Sequence, residues 1–257
     1  MRLATWNVNG LRARMDFVLH WLQERAPDVV GLQELKLEDE QFPHDVFEAA
    51  GYTAVTHGQK AWNGVAILSR TEAGACERGL PGEEEFGSRL ITAEVGGVNF
   101  TTVYVPNGKS VEHDDYPKKL AWLESLRAHV AASLDAAKPA VLCGDFNICP
   151  TPLDSWNEKS HEGKIFHTDE ERRRYRAILE CGYLDVYRER NPDLKAFSWW
   201  DYRGGSFHRG MGLRIDFLLA TPALLSRVTS VEIDREYRKK KGELTASDHA
   251  PVMMDID

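Results

Sequence analysis

The chain alternates short apolar runs with polar segments, and most of the apolar runs are the length of a β-strand. Runs of about four to eight residues rich in Val, Ile, Thr and aromatic side chains are typical of strands. The segments with this pattern are Arg2 to Trp6, Asp28 to Gln33, Thr53 to His57, Gly64 to Leu68, Leu90 to Val95, Val98 to Val105, Ala140 to Cys143, Ile215 to Leu219, Val228 to Ile233 and Val252 to Ile256. The pattern therefore predicts a protein built around β-sheets.

Helical spacing of apolar residues occurs between these runs. It predicts helices over Arg12 to Arg25, Tyr116 to Leu134 and Asp169 to Cys181. The expected buried faces are Phe17, Val18, Trp21 and Leu22 in the first helix and Leu123, Leu126, Val130 and Leu134 in the second. Gly182 follows the third helix, where glycine commonly ends helices.

Glycine turns and the number of strands indicate the architecture. Gly96-Gly97 and the acidic loop from Gly82 to Gly87 are typical of hairpins, so we expect mixed or antiparallel sheets. No repeat or linker divides the chain, and we expect a single domain over residues 1–257. There are more strands than one sheet usually holds. We therefore predict an α/β (α+β) fold in which two β-sheets pack face to face with helices outside.

Composition narrows the classes of function. The chain is 42% hydrophobic and 28% charged, which excludes a disordered or fibrous protein. Lys and Arg number 32 against 40 Asp and Glu, so the net charge is −8 and nothing attracts the whole molecule to nucleic acid or an anionic membrane. No apolar stretch is long enough for a membrane span. A polyanionic ligand must therefore meet a local basic patch or a bound cation.

The cysteines and the first residues indicate the compartment. The four cysteines lack C-x-x-C spacing, so they predict neither a disulfide framework nor a zinc site. The first residues lack the pattern of a secretory signal. We expect a cytoplasmic protein, and nothing in the sequence requires more than a monomer.

Two polar residues end apolar strands near the N-terminus. Asn7 lies just before the turn at Gly10, where a side chain projects into a crevice, although Asn at such a place also caps helices or braces turns. Glu34 follows a buried run that begins at Val29. A carboxylate there is costly unless it is paired or binds a cation, although a Glu at a strand end is also often solvated.

Asp145 and Asn147 follow the apolar run from Ala140 to Cys143. Residues two apart on an extended segment point the same way, so we expect a carboxylate and an amide to converge on one small volume. A general base beside a neutral hydrogen-bond donor suits hydrolysis at a phosphoryl group. An Asx turn that closes the strand is the structural alternative.

Asp248 and His249 are adjacent, just before the last strand. Neighbouring residues on an extended chain face opposite ways, so we expect them to contact different partners. A catalytic histidine needs an orienting carboxylate, and Asp216, within an apolar strand, is the natural candidate. The alternative is a histidine with a purely structural hydrogen bond.

These polar residues share a position at the ends of apolar strands, from which an open two-sheet protein can build one site at its rim. The set is Asn7, Glu34, Asp145, Asn147, Asp216, Asp248 and His249. It is rich in oxygen ligands and contains no cysteine, so it suits Mg²⁺ or Mn²⁺ better than zinc.

In sequence order, these segments resemble the motifs of exonuclease III and the abasic-site (AP) endonucleases. The matching segments are Trp6-Asn7-Val8-Asn9-Gly10, Leu32-Gln33-Glu34, Tyr104-Val105-Pro106-Asn107-Gly108, Gly144-Asp145-Phe146-Asn147, Leu213-Arg214-Ile215-Asp216 and Ser247-Asp248-His249-Ala250-Pro251. The resemblance extends from Arg2 to the C-terminus. It implies a four-layer α/β sandwich of the DNase I-like superfamily that acts on double-stranded DNA with Mg²⁺, for which Mn²⁺ can substitute, and without a small-molecule cofactor.

The resemblance also implies metal and hydrolytic roles. Glu34 would be the main metal ligand, with Asn7 and Asp248 close to the ion or its waters. Asp145 would activate the attacking water, and Asn147 would hold the scissile phosphate.

Further roles on the phosphate follow from the same resemblance. Asp216 would orient His249 toward a phosphate oxygen. Tyr104 would contact that phosphate or the transition state, and Asn107 would support the phosphate side. These roles agree with the chemistry, because neutral and cationic donors spread the growing charge of the transition state.

The aromatic stretch from Phe197 to Arg203 is similar to the substrate-pocket loop of the family. Trp199, Leu213 and Ile215 then fall where relatives line the pocket for an extruded sugar. Core packing is the alternative for the neighbouring Trp200. Three arginines of this region are candidates for backbone phosphate contacts: Arg203, Arg209 and Arg214.

Three positions depart from the family pattern. Asn9 replaces an Asp of some AP endonucleases, which removes a possible second metal ligand, and Leu35 replaces a Thr of many relatives. Phe166 stands where relatives often have Gly or Ser before Phe-Thr. A bulky ring there would obstruct a continuous duplex and tolerate a frayed 3' end. We therefore expect 3' exonuclease activity or 3'-end trimming to outweigh incision at internal abasic sites.

Three competing hypotheses remain open at this point. The main activity could be AP endonuclease incision 5' to abasic sites. The superfamily also contains enzymes for lipid or inositol phosphates, against which the aromatic loop and the Leu-Arg-Ile-Asp match argue. A non-catalytic nucleic-acid-binding protein with this fold is the third possibility, since one scaffold carries several functions.

Overall fold

The computed structural model describes residues 1–257 and contains two β-sheets with helices on their outer faces. The strands are β1 (Arg2–Asn7), β2 (Val29–Gln33), β3 (Thr53–His57), β4 (Val65–Ser69), β5 (Cys76–Arg78), β6 (Leu90–Val95), β7 (Val98–Tyr104), β8 (Ala140–Asp145), β9 (Leu184–Asp185), β10 (Asp216–Ala220), β11 (Val228–Ile233) and β12 (Val252–Ile256). The α-helices are α1 (Leu11–Arg25), α2 (His44–Ala49), α3 (Asp115–Ser133), α4 (Glu158–His161), α5 (Asp169–Leu179), α6 (Val186–Arg190) and α7 (Pro222–Leu225). No helix is both long enough and apolar enough to cross a membrane.

Both sheets have mixed strand directions, as the sequence predicts, and each has six strands. The first has the order β11-β12-β1-β2-β4-β3, and the second has the order β5-β6-β7-β8-β10-β9. One neighbouring pair in each sheet is parallel, β1 with β2 and β7 with β8, and the remaining pairs are antiparallel. The Gly96-Gly97 turn joins β6 to β7, with both glycines at positive φ (58° and 78°). Such angles are those of a two-residue hairpin turn.

The apolar side chains form three core layers, which makes the fold the predicted four-layer sandwich. The layer between the sheets includes Leu3, Ile67, Phe100, Val141 and Leu218. A second layer lies between the first sheet and α1 and includes Phe17, Val18, Trp21 and Leu22, so the predicted face of α1 is confirmed. The third layer packs Leu123, Leu126 and Val130 of α3 and Ile178 of α5 against the second sheet.

The strand ends of the two sheets meet at one edge. In the first sheet, Asn7 at the end of β1 is paired in register with Gln33, the residue before Glu34. In the second sheet, Asp145 is paired in register with Tyr104 on one side and with Asp216 on the other. Strand β10 begins at Asp216, one residue later than predicted. The predicted acidic residues therefore lie together at the edge where the strand ends of both sheets meet.

Candidate active site

The centre of this edge is a contact between two carboxylates and one amide. The Nδ2 group of Asn7 donates to Oε1 of Glu34 (2.9 Å) and to Oδ2 of Asp145 (2.9 Å). Asn7 and Asp145 are buried, whereas Glu34 is partly exposed. Because Asn7 and Asp145 come from different sheets, the amide of Asn7 bridges the sheets at the bottom of the site.

The backbone turns immediately after Asp145. Gly144 has a φ of 137°, and a Cβ at this position would collide with the carbonyl oxygen of Val103, so this position requires glycine. Asn147 has a φ of 50°, and its N–H donates to Oδ1 of Asp145 (2.9 Å). The prediction that Asp145 and Asn147 share one face of an extended segment is therefore wrong. The Asx turn brings them together instead, and Nδ2 of Asn147 donates to the carbonyl of Val105 (3.0 Å).

His249 lies between two carboxylates. Its Nδ1 contacts Oδ2 of Asp216 at 2.9 Å, and its Nε2 is 3.8 Å from Oδ2 of Asp145. Ser198 donates to the same Asp216 oxygen (2.6 Å) and fixes that carboxylate. Burial is the largest single influence on the pKa of His249 and lowers it, but the charge and hydrogen bond of Asp216, together with the charges of Asp145 and Asp248, outweigh burial and raise this pKa to about 10. The ring is therefore an imidazolium at neutral pH.

The local environment also changes the acid strengths of Asp145 and Tyr104. Burial raises the pKa of Asp145 to about 7, although His249 opposes the shift. Burial, together with the charges of Glu34 and Asp145, raises the pKa of Tyr104 well above its usual value. Asp145 can therefore take up a proton near neutral pH, and Tyr104 remains a neutral hydrogen-bond donor.

The donor set fits a hard divalent cation. An oxygen atom of Glu34 and one of Asp145 lie within 4.8 Å of each other. A ring nitrogen of His249 lies within the same distance, but as part of an imidazolium it is a hydrogen-bond donor and not a metal ligand. Carboxylate oxygens at this spacing suit Mg²⁺ or Mn²⁺. Asn7 turns its Oδ1 toward the N–H of Asn9 (2.9 Å), so in this conformation it braces the carboxylates.

Asp248 lies outside that cluster and has its own partners. Its Oδ1 accepts from Nδ2 of Asn9 (2.9 Å), and its Oδ2 accepts from Nε1 of Trp199 (3.0 Å). Lys36 connects this group to the cluster, since its Nζ donates to Oδ1 of Asn9 (2.7 Å) and pairs with Oε2 of Glu34 (3.0 Å). As expected from the sequence, Asp248 and His249 contact different partners.

The predicted pocket residues form one apolar cluster beside the carboxylates. Leu213 and Ile215 are buried together with Cys149, and Trp199 and Phe166 pack against them from the partly exposed side. Phe166 therefore shares a cluster with all three residues predicted to line a sugar pocket. On the opposite side, Nδ2 of the exposed Asn107 is 3.3 Å from Oδ1 of Asn147.

The predicted arginines differ in their surroundings. Arg203 has an exposed side chain that pairs with Asp201 (2.7 Å), outside the apolar cluster. Arg214 is only 1% exposed and is bound to Asp154 (2.6 Å) and Asp185 (2.8 Å), so the expected phosphate contact is wrong for this residue. It is wrong because the polar face of the Leu213 to Asp216 segment is covered by further protein rather than by solvent.

Trp200 is also buried and clusters with Phe207, as the alternative of core packing predicts for this residue. The aromatic stretch therefore divides between two roles. Trp199 faces the apolar cluster beside the carboxylates, and Trp200 packs into the interior.

A cleft beside Tyr104 has no counterpart in the sequence prediction. It has a volume of about 560 Å³. Its lining includes Trp62, Arg89, Tyr104, Asn107, Lys109 and Lys118. Trp62 is 77% exposed, which is unusual for so large an apolar side chain. The charged lining is mixed, because Glu85 and Asp115 lie beside the three cationic side chains and Asp115 pairs with Lys109 (2.7 Å). The cleft therefore has only a small excess of positive charge, and no periodic pattern in the sequence marks Trp62.

The arrangement can perform acid–base chemistry on a phosphate ester. A carboxylate with a pKa near 7, an imidazolium, a neutral phenol and two amides surround a space bordered by oxygen ligands for a cation. Such a hydrolysis needs a general base that deprotonates the attacking water and hydrogen-bond donors that stabilise the developing negative charge.

Comparisons with known proteins agree with this chemistry. The Endonuclease/Exonuclease/phosphatase family matches residues 4–249. Exodeoxyribonuclease III of Haemophilus influenzae is 36% identical over 269 aligned residues, which cover 100% of both chains. The structure of an AP endonuclease from Archaeoglobus fulgidus has a TM-score of 0.95 and 36% identity, covering 100% of this chain and 99% of that chain.

A third relative is a Neisseria protein described as the 3' phosphatase NExo, whose structure was solved with a bound product DNA hairpin. It has a TM-score of 0.95 and 35% identity, covering 100% of this chain and 99% of that chain. These similarities confirm the DNase I-like fold. The chain thus belongs to the endonuclease/exonuclease/phosphatase family, in its exonuclease III and AP endonuclease group, and is a DNA repair nuclease.

Proposed function

We propose that this nuclease hydrolyses DNA phosphodiesters from 3' to 5' at duplex 3' ends and trims blocked 3' termini, in a Mg²⁺-dependent reaction. The observation that carries the proposal is the position of Phe166, which packs in one cluster with Trp199, Leu213 and Ile215. A ring in that cluster narrows the space for a sugar extruded from a continuous duplex. A frayed terminal nucleotide has more freedom to approach the carboxylates of the active site.

The relatives support DNA ends as substrates. The Haemophilus relative is an exodeoxyribonuclease III, and the Neisseria relative, a 3' phosphatase, was solved with a product DNA hairpin. We propose double-stranded DNA as the partner and a monomeric, cytoplasmic protein with one catalytic domain. The four free cysteines agree with a reducing compartment.

Glu34 would hold the Mg²⁺ ion, and Asp145 would lie next to the same ion. Asn7 and Asp248 would brace these ligands or contact the ion's waters. Bound there, the ion would neutralise charge on the scissile phosphate. Lys36 already places one cationic group on Glu34.

The residues of the chain then divide the proton and charge handling. Asp145 takes a proton from the attacking water while the water oxygen bonds to phosphorus and the bond from phosphorus to the 3' oxygen breaks. The leaving 3' oxygen takes up a proton from solvent water. The imidazolium of His249, held by Asp216, donates to a non-bridging phosphate oxygen. Tyr104 and Asn147 donate to the same phosphate, and Asn107 supports Asn147. Such preorganised donors act in a site where water is limited, so they stabilise the transition state more than they would in bulk solvent.

AP endonuclease activity is the second candidate. The similarity to the Archaeoglobus AP endonuclease favours it, and Trp199, Leu213 and Ile215 occupy positions predicted to line a sugar pocket. Because both activities would use the same acid–base residues, the catalytic geometry does not separate them. We propose that the pocket separates them, through Phe166.

Two matched duplexes test the proposal, one with an internal abasic site and one with only a recessed 3' end. We expect Mg²⁺-dependent cleavage that is faster at the recessed end and is lost in the control variant Asp145→Asn. Equal or faster cutting at the internal abasic site would make the protein a repair endonuclease and would refute the role of Phe166.

A further inference from the structure

A buried ion pair lies behind the phosphate side of the active site. Lys119 on α3 and Glu171 on α5 have fully buried side chains, and their Nζ and Oε1 atoms are 2.5 Å apart. Because neither side chain is exposed, neither can touch a DNA substrate directly. Their partners are the loops that carry active-site residues.

The ammonium group of Lys119 joins two of these loops. It donates to the backbone carbonyls of Asn147 (2.7 Å) and Asn107 (3.3 Å), as well as to Glu171. An ammonium group has three donors, so all three are used. Its Nζ also lies 4.8 Å from the centre of the Phe166 ring.

The carboxylate of Glu171 holds the loop of Phe166. Its Oε1 accepts from the N–H of Phe166 (3.1 Å), and its Oε2 accepts from both the N–H (3.1 Å) and the hydroxyl (2.7 Å) of Thr168. The pair therefore connects the phosphate-holding amides to the residue that narrows the pocket.

The connected residues have a backbone conformation that needs support. Asn147 and Phe166 have φ values of 50° and 72°. Left-handed backbone is unfavourable for a bulky residue such as Phe166, so it persists only where surrounding contacts hold it. The Lys119 and Glu171 bonds, together with the bond from the N–H of Cys149 to the carbonyl of Phe166 (2.7 Å), supply those contacts.

A buried ion pair seldom stabilises a fold more than a well-packed apolar pair would, because both charges must be removed from water. An apolar pair could fill this space, but it could not bind two carbonyls and two N–H groups. We propose that Lys119 and Glu171 are positioning residues that fix the Asn147 and Phe166 loops relative to each other and thereby set the preference for 3' ends. This inference rests on the proposed function.

The double variant Lys119→Met/Glu171→Gln removes both charges at similar side-chain volume. A misplacement of about 1 Å at a reacting group costs about 100-fold in rate, so we expect kcat at a recessed 3' end to fall by a factor of this order. KM should stay within about threefold, because neither residue contacts DNA. Without the hydrogen bonds from its loop to Glu171, Phe166 should obstruct an abasic site less. The ratio of 3'-end to abasic-site cleavage should therefore fall by at least about tenfold.

The matched control is Glu124→Gln/Arg127→Met, which removes an exposed ion pair of the same helix (2.7 Å). It should leave the cleavage ratio unchanged. Thermal unfolding of each variant reports how much of the protein is folded. If the double variant does not fold, Glu171→Gln alone decides, and we expect it to shift the ratio in the same direction by at least about threefold.

Loss of both activities by one common factor, or an unchanged ratio, would overturn the positioning role, because reduced folding affects both substrates equally. The wild-type ratio tests the proposed function, whereas the change of that ratio on substitution tests the positioning role. A wild-type protein without preference for 3' ends would refute the proposed function. The change of the cleavage ratio between the wild type and the double variant would then still decide whether the ion pair positions the two loops.

Discussion

Replacement of Phe166 by glycine is the most informative single change in the pocket. The substitution removes the ring from the cluster of Leu213 and Ile215. It also places glycine at a φ of 72°, where glycine has no steric penalty. We expect incision at an internal abasic site to rise relative to cleavage at a recessed 3' end.

The stability cost of this change should be small enough for a clear assay. A fully buried Phe truncated to Ala costs about 3–5 kcal/mol, and the ring of Phe166 is only partly buried, so its loss should cost less. Glycine also recovers about 1–2 kcal/mol of backbone strain. The net loss of about 1–3 kcal/mol is well below the roughly 5–15 kcal/mol of unfolding free energy that is typical of folded proteins.

The assay compares kcat/KM on the two matched duplexes. Relief of a steric mismatch in a pocket is worth about 1–3 kcal/mol, so the ratio should shift toward the abasic site by about 10- to 200-fold. Phe166→Ala should shift the ratio in the same direction but should unfold at a lower temperature than Phe166→Gly, because alanine keeps the backbone strain. A ratio within about threefold of wild type in both variants would show that the ring does not control substrate choice.

Three further predictions concern the ion pairs, the cleft and the metal. Arg214→Met leaves Asp154 and Asp185 with one less partner and should destabilise the fold by about 3–5 kcal/mol, as measured by thermal unfolding. The salt dependence of DNA binding should stay the same, whereas a weaker salt dependence at unchanged stability would show that Arg214 contacts a DNA phosphate after all. Trp62→Ala, measured by fluorescence anisotropy in the non-cleaving Asp145→Asn background, should weaken DNA binding by about 1–3 kcal/mol through lost stacking, and unchanged affinity would remove the cleft from the interface. Chelation of Mg²⁺ should stop cleavage, and Glu34→Gln should raise the Mg²⁺ concentration for half-maximal rate by at least about tenfold, whereas an unchanged requirement would place the ion elsewhere.

The hydrophobic pattern was sufficient to predict the long elements of the fold. Strands buried on one or both faces impose long apolar runs, and each run in the prediction corresponds to a strand of the structure. Strands β5 and β9 have only three and two residues, so no periodicity could develop in them. The position of Asp145 and Glu34 at strand ends was predictable for the same reason, since each follows an apolar run. Asp216 was expected within its strand and is instead the first residue of β10.

The remainder of the site depends on contacts between distant segments, which periodicity does not contain. Asn147 and Phe166 have left-handed backbone set by hydrogen bonds to remote residues. Arg214 alternates with Leu213 and Ile215 like a solvent-facing residue, yet acidic side chains of distant segments cover it. Lys119 did leave a signal, because it lies four residues before Leu123 on the buried stripe of α3. A lysine in that place indicates a buried charge with a partner.

One duplex that carries both an internal abasic site and a recessed 3' end provides the most direct test, because both targets then compete for the same enzyme molecules. With Mg²⁺ and separate labels on the two products, we expect the wild-type protein to release nucleotides from the 3' end before it cuts at the abasic site, and Asp145→Asn to do neither. Cleavage at the abasic site ahead of the 3' end would contradict the central claim that Phe166 directs this nuclease to DNA ends.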